Sequence, residues 1–217
     1  GKSFRFFNKK FIIDKNHKSV FYDVCIHRKA SLSKGKIVKN GCVVCPYHGW
    51  KYDLSGTLRH IPKKERLLTQ AGRRLKEFQS TERFGLIWIC VGTPKKTPDE
   101  FFSKLDGRLE KYQLEEMRPI EARDFEFPLN WKLSLENSMD FYHVTTVHQK
   151  TVGPHIENLP SFEDLDWHNL QTLFIAPYYW RETLDKHCAR GDVDAYSEQE
   201  LSSLHKYFIF PNLVINV

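Results

Sequence analysis

Short β-favouring apolar runs fill the first ninety residues. Phe11 to Ile13, Val20 to Tyr22, Ile37-Val38, Val43-Val44 and Leu86 to Val91 are such runs; Asp14, Asn16, Gly35, Asn40-Gly41, Ser55-Gly56 and Gly92 punctuate them. The pattern predicts an all-β first part. Thr93 to Pro98 reads as a linker, and beyond it Phe101, Phe102, Leu105, Leu109, Tyr112 and Leu114 recur at helical spacing as far as Met117. Asp124 to Phe127 reads as a strand and Asn130 to Val147 as a helix. Leu173 to Ile175, Tyr178 to Trp180, Tyr207 to Phe210 and Leu213 to Ile215 read as strands of an antiparallel sheet. Helices mixed with antiparallel strands predict an α+β second part. The divisions fall at 1–97, 98–120 and 121–217. The chain stops at Val217 inside an apolar β-favouring run, which leads us to expect an N-terminal piece of a longer protein, incomplete at its C-terminus.

Charge sharpens the division. Residues 1–97 carry 22 Lys and Arg against 6 Asp and Glu, whereas 98–217 carry 11 against 21. The basic residues are scattered singly and in pairs, with no helix-turn-helix, zinc-finger or RNA-binding signature, so a nucleic-acid partner is not expected. A basic face of this kind suits docking of an acidic redox partner, or of the acidic half of another protomer. No apolar run approaches the ~20 residues that cross a bilayer, so no membrane role is expected. Of five cysteines, Cys42, Cys90 and Cys188 read as free thiols of a reducing, cytoplasmic compartment.

The other two cysteines belong to paired loops. Cys25-Ile26-His27 is followed, after seventeen residues, by Cys45-Pro46-Tyr47-His48. Two thiolates and two imidazoles at this spacing describe a metal site. Zinc accepts the same four donors, but zinc fingers pair cysteine with cysteine and histidine with histidine, whereas here each loop supplies one of each. In a Rieske [2Fe–2S] centre two cysteines hold one iron and two histidines the other.

The second loop continues Gly49-Trp50-Lys51-Tyr52-Asp53. It resembles the Rieske domain of Rieske non-haem iron oxygenases, aromatic-ring-hydroxylating terminal alpha subunits whose second loop reads C-P-Y-H-G-W. The resemblance implies an all-β Rieske domain followed by an α+β catalytic domain, with Cys25, His27, Cys45 and His48 as cluster ligands. Respiratory Rieske proteins carry a loop-bridging cysteine where this chain has Tyr47, and a serine donor to sulfur where it has Trp50. Loss of that donor implies a low-potential cluster.

Residues 130–148 extend the resemblance. Glu136, Asp140 and His143 share one face of a continuous helix, whereas His148 would swing about 140° from His143 unless the helix ends or bulges between them. Gly153-Pro154 marks a nearby end. The segment is similar to the catalytic helix of the same family, with its D-x-x-H-x-x-x-x-H pattern. The similarity implies that His143 and His148 bind a mononuclear Fe(II). It implies that Asp140 bridges His143 or His148 to a Rieske histidine, His27 or His48, of a neighbouring subunit in a head-to-tail homotrimer; of the two we favour His48. Such iron takes a carboxylate third; Asp164, Asp166, Asp185, Asp192 and Asp194 are acidic options, and the family places this ligand further downstream than Val217.

The implied function is that of a terminal oxygenase using O2 to hydroxylate, demethylate, desaturate or dihydroxylate a small organic substrate. No G-x-G-x-x-G opens a helix, so electrons must come from a separate ferredoxin and/or NAD(P)H-dependent flavin reductase. Two other classes compete: a Rieske-type electron carrier without catalytic iron, and a zinc protein that binds nucleic acid. The purified protein is expected to be brown, to release acid-labile sulfide and to give an EPR signal on reduction. A colourless protein holding zinc would end the iron–sulfur reading.

Overall fold

The structure is a computed structural model that describes residues 2–6, 9–14, 19–38, 41–62, 72–156, 159–176 and 197–217. Asn16 and Asn40, the strand expected at Tyr178 to Trp180, Cys188 and the acidic candidates Asp185, Asp192 and Asp194 lie outside the described residues. Two compact units are present: residues 1–100 with 113–117, and residues 101–112 with 118–217.

The first unit holds two antiparallel sheets. Strands β1 (Lys2–Phe6), β2 (Lys9–Asp14), β3 (Ser19–Tyr22), β8 (Glu77–Arg83) and β9 (Leu86–Cys90) form one in the order β1-β2-β3-β8-β9. Strands β4 (Lys36–Ile37), β5 (Val43–Val44), β6 (Lys51–Tyr52) and β7 (Leu58–His60) form the other in sequence order. The apolar runs of β2 and β3 are unbroken because both faces of their sheet are covered. Side chains alternate faces along a strand. Phe11, Ile13, Val20 and Tyr22 therefore share one side with Phe78, whereas Ile12 and Phe21 join the cluster of Cys25, Leu32, Cys45, Trp50, Tyr52 and Leu58. Phe11 and Tyr22, paired across the strands, stack at 5.3 Å, and Phe78 meets both edge-on. The cysteine-bearing loops thus grow out of the best-packed part of this unit.

The second unit holds one antiparallel sheet, β10 (Ser161–Leu165), β11 (His168–Phe174), β12 (Ser203–Ile209) and β13 (Leu213–Asn216), in sequence order. Leu170 and Tyr207, paired between β11 and β12, are both buried. The helix expected over 101–117 is replaced by α1 (Pro98–Phe102), a run of turns, and two 3₁₀ segments at Glu110–Tyr112 and Leu114–Glu116. Gly107 and Gln113 take left-handed backbone angles, φ 73° and 47°, which end a right-handed helix. Phe102, Leu105 and Leu109 are still buried at the spacing that suggested the helix.

The strand expected at Asp124 to Phe127 is not formed. This stretch has no assigned structure, and Phe125 and Phe127 are 70% and 67% exposed. Alternation of charge and aromatic ring marks a half-buried strand only where a neighbouring strand offers hydrogen bonds, and among the described residues none pairs with it. The helix expected over 130–147 is split into α2 (Trp131–Met139) and α3 (Val144–Val147). No described helix is long and apolar enough to cross a membrane.

Helix α4 (Glu198–Leu201) is started by a capping box. Glu200 accepts from the Ser197 N–H at 3.0 Å and hydroxyl at 2.8 Å, and pairs with Lys111 Nζ at 2.8 Å. The Lys111 bond, then the Ser197 bonds, lower the Glu200 carboxyl from 4.5 to about 2. A depressed carboxylate contributes stability that is present above its ordinary value and lost as pH falls through the folded one. Glu200 should therefore titrate near pH 2 by NMR, and Lys111→Met should move that midpoint up toward 4.5.

Candidate metal centres

The two cysteine loops are the same turn built twice. The Cys25 N–H donates to the Ala30 carbonyl at 2.8 Å and its carbonyl accepts from the Lys29 N–H at 3.0 Å; Cys45 makes the corresponding bonds to Trp50 and Gly49 at 2.8 and 3.0 Å. The fifth residue of each turn is left-handed, Lys29 at φ 60° and Gly49 at φ 71°. Glycine adopts that angle without a Cβ penalty, which explains Gly49 and makes Lys29 the strained copy. The histidine is the third residue of the first turn and the fourth of the second. Their rings nevertheless meet, with centroids 4.6 Å apart at 63°.

Neighbouring groups hold the first loop. Asp23 is buried and accepts from the Ser31 hydroxyl (2.5 Å), the Ser33 N–H (2.6 Å) and the Ser33 hydroxyl (2.5 Å). Tyr52 and Cys25 are 0% and 1% exposed, and the Tyr52 hydroxyl lies 3.1 Å from Cys25 Sγ. Burial pushes the Cys25 thiol up; the Tyr52 hydroxyl and His27 N–H pull it back, and Cys45 raises it further. Burial, then the contact with Cys25, also pushes the Tyr52 phenol up, so the phenol stays protonated and donates. Trp50 stacks on the His27 ring, centroids 4.7 Å apart and 2° from parallel.

These residues fit a two-iron cluster. A buried thiol held up by burial becomes a thiolate when cationic metal compensates it. His27 Nδ1 is buried and has no hydrogen-bond partner among the described residues, as a nitrogen reserved for metal would be. Among the described residues no three His, Cys, Asp or Glu side chains are grouped to hold one ion.

The second candidate centre lies around the break between α2 and α3. The Asn130 side chain caps α2 by accepting from the Lys132 N–H at 3.0 Å. Asp140 closes the helix with its N–H on the Glu136 carbonyl (2.8 Å) but is itself extended, at φ −67° and ψ 122°. Its carboxylate takes the Tyr142 N–H at 2.9 Å and His143 Nδ1 at 2.7 Å. An aspartate that bonds the backbone two residues on offers the chain a turn in place of another helical residue. The shared helical face expected for Glu136, Asp140 and His143 is therefore corrected: Asp140 and His143 meet across a turn.

The bonds from His143, then Tyr142, hold Asp140 below its ordinary 3.8. It is thus an acceptor to which the His143 Nδ1–H donates, which leaves Nε2 as the ring nitrogen away from the carboxylate. The exposed carbonyls at the end of α2 are met from the sheet: Lys206 Nζ reaches Ser138 O at 3.1 Å and Gln171 Nε2 reaches Met139 O at 3.2 Å.

His143 and His148 flank the one-turn α3, and their rings lie 5.4 Å apart at 62°. Gly153 packs so closely that a Cβ there would sit 2.8 Å from the His148 carbonyl and 2.9 Å from that of Val144. Two imidazoles sharing an ion at about 2.1 Å, roughly at right angles or slightly wider, have ring centres about 5 Å apart. The pair fits one metal. A grouped carboxylate third donor is not found among the described residues, and Asp164 and Asp166 are exposed loop or edge positions. Sequence reasoning singled out Cys25, His27, Cys45, His48, Asp140, His143 and His148 as candidates and did not single out Tyr52, Asp23, Gln171 and Lys206, which contact them or the end of α2. The signal available for Tyr52 was its place in the motif that follows His48, two residues after Trp50.

Comparison with known proteins covers both halves of the chain. A family model for the Rieske [2Fe-2S] domain matches residues 1–79, and one for the ring hydroxylating alpha subunit (catalytic domain) matches residues 114–217. The chain is 29% identical over 67% of its length to a glycine betaine monooxygenase oxygenase subunit of Chromohalobacter salexigens. It is 32% identical over 59% of its length to the iron-sulfur subunit TsaM1 of a toluene-4-sulfonate monooxygenase system of Comamonas testosteroni. These matches span only 32% and 35% of those relatives. The fold is shared with the quaternary ammonium Rieske monooxygenase CntA at a TM-score of 0.75 and 20% identity, over 99% of this chain and 56% of that one.

Two predictions follow from the first loop. If Cys25 is a cluster ligand, Tyr52→Phe removes a donor to its sulfur, worth about 1 kcal/mol, and should lower the reduction potential by about 40 mV in protein-film voltammetry. Asp23→Ala strands the Ser33 N–H and should cost about 2–4 kcal/mol in chemical denaturation.

Proposed function

From the premise that this chain belongs to the family of Rieske-type ring-hydroxylating oxygenase alpha subunits, we propose that it is the oxygen-activating terminal component of a multi-protein oxygenase. Residues 1–97 form its cluster domain, 98–120 the connection, and 121–217 the part of the catalytic domain in this chain. Cys25, His27, Cys45 and His48 are the proposed ligands of the [2Fe–2S] cluster, and His143 and His148 those of a mononuclear Fe(II). When bound, the cluster stores and passes single electrons and the mononuclear iron activates O2.

The observation that carries this reading is the Asp140–His143 bond at 2.7 Å, beside a His148 ring at 5.4 Å. A carboxylate on the far nitrogen of an imidazole fixes its tautomer, aims its free lone pair and raises its basicity. A chain that only carried electrons would have no use for such a pair. Asp140 is half-exposed, and its second oxygen is held by the Tyr142 N–H. We place it as the bridge to His48 of a neighbouring protomer in a head-to-tail trimer. His48 supports that choice over His27 because its ring is exposed, whereas His27 lies partly buried under Trp50. Electrons come from a ferredoxin or an NAD(P)H-dependent flavin reductase in the same cytoplasmic compartment, and the basic first half suits an acidic donor. The substrate class is a small organic molecule, hydroxylated, demethylated or dihydroxylated.

Iron analysis with visible spectroscopy tests the reading. The protein loaded with Fe(II) is expected to hold iron beyond that of its cluster. His143→Ala and His148→Ala should each lose that extra iron while the cluster absorbance stays unchanged. Equal iron content in the parent and both variants would favour the electron carrier instead.

A further inference from the structure

We propose that Gln171 is a positioning residue for the second centre: its buried side-chain amide pins the peptide group that leads into Asp140, and so fixes where Asp140 and His143 stand. This inference rests on the reading that His143 and His148 hold a metal. Gln171 lies on β11, paired on one side with Phe162 of β10 and on the other with Lys206 of β12, and it is 0% exposed. Its Nε2 donates to the Met139 carbonyl at 3.2 Å.

The Met139 carbonyl and the Asp140 N–H belong to one planar peptide group. The N–H end is held by the Glu136 carbonyl at 2.8 Å, inside the helix. The carbonyl end is held by Gln171, from the sheet. A plane bonded at both ends is held against rotation, so the chain leaves α2 in one direction. Asp140 then commits both carboxylate oxygens to the residues that follow, Oδ1 to the Tyr142 N–H and Oδ2 to His143 Nδ1. The bond to Gln171 is thus the last fixed point before the carboxylate that orients His143. Lys206 differs. It reaches the Ser138 carbonyl, one peptide earlier, from a partly buried side chain with a flexible stem.

An amide here is a poor core filler. The Gln171 Oε1 is buried and has no hydrogen-bond partner among the described residues. A buried acceptor left unmet is destabilising, and an apolar side chain of similar volume would avoid that. What distinguishes Gln171 from such a side chain is its donor, and that donor is aimed at the Met139 carbonyl.

Hydrogen exchange of the full chain without added Fe(II), followed by NMR, tests the idea. The Gln171 side-chain NH2 and the Tyr142 N–H are expected to exchange slowly in the parent. Gln171→Met keeps the volume and removes the donor. It should speed exchange at Tyr142 about fivefold, the local opening that one lost hydrogen bond permits, and leave Leu170 and Tyr207 in the sheet unchanged. Lys206→Met should leave Tyr142 exchange as it is. Co(II), titrated as a probe of the imidazole pair with His143→Ala as the blank, should bind Gln171→Met about tenfold more weakly than the parent. Unchanged Tyr142 exchange in Gln171→Met would overturn the proposal, as would looser exchange with parent-like Co(II) affinity. So would an equal rise at Leu170 and Tyr207, which a core-filling role gives, or the same local rise in Lys206→Met, which general support of the helix end gives. If Gln171→Met does not fold, the parent decides: a protected Gln171 NH2 supports the proposal, and one exchanging as fast as a solvent-exposed amide overturns it. Co(II) binding no tighter to the parent than to His143→Ala would instead defeat the metal reading on which the inference rests, whatever the exchange rates.

Discussion

Two copies of one hydrogen-bonded turn, each closing around a cysteine, are the constraint from which the first unit's chemistry follows. The bonds from Cys25 to Ala30 and Lys29 and from Cys45 to Trp50 and Gly49 bend the backbone tightly enough to present a thiol and an imidazole from one short loop. Neither turn would persist alone in water. Each is short, and few local bonds offset the entropy of ordering it. They are held because Cys25, Leu32, Cys45, Trp50, Tyr52 and Leu58 bury one another and Phe21 joins them to the larger sheet. The price of this arrangement is visible at Lys29, which adopts the left-handed angle that its counterpart Gly49 takes without strain.

The second unit uses one carboxylate for two tasks. Asp140 ends α2 by offering the chain a side-chain bond to the Tyr142 N–H, and the same group orients His143. Ending the helix is what lets His143 and His148 approach. In a continuous helix five residues of separation would send them to different faces; with only a one-turn α3 between them, their rings come within 5.4 Å. Lys206 and Gln171, from β12 and β11, supply the donors that the last carbonyls of α2 lose when the helix stops. The sheet thus supports a break that helical propensity alone would not have made.

The two centres differ in how they are supported. Around Cys25 the supporting groups Tyr52, Trp50 and Asp23 are buried, so a small change in hydrogen bonding acts at low dielectric on its sulfur. Around His143 and His148, Asp140 is half-exposed while Gln171 and Gly153 are buried, and orientation rests on direct bonds and backbone turns.

What the amino-acid order determined by itself was local and chemical. Loop composition and the spacing of Cys25, His27, Cys45 and His48 marked a mixed-ligand site, because coordination chemistry restricts which side chains serve and short loops restrict where they fall. The strands β2, β3, β5 and β9 were legible from runs of apolar and β-branched residues, as were β12 and β13. What only the tertiary structure decided was whatever depends on a distant partner. Asp124 to Phe127 has the alternation of a strand but no neighbour to pair with, and residues 103–117 have the spacing of a helix but turn at Gly107 and Gln113. The break at Asp140, the Tyr52 donor and the Trp50 stack were equally out of reach. Each depends on which groups meet across the fold, and periodicity along a chain reports only which face a residue takes.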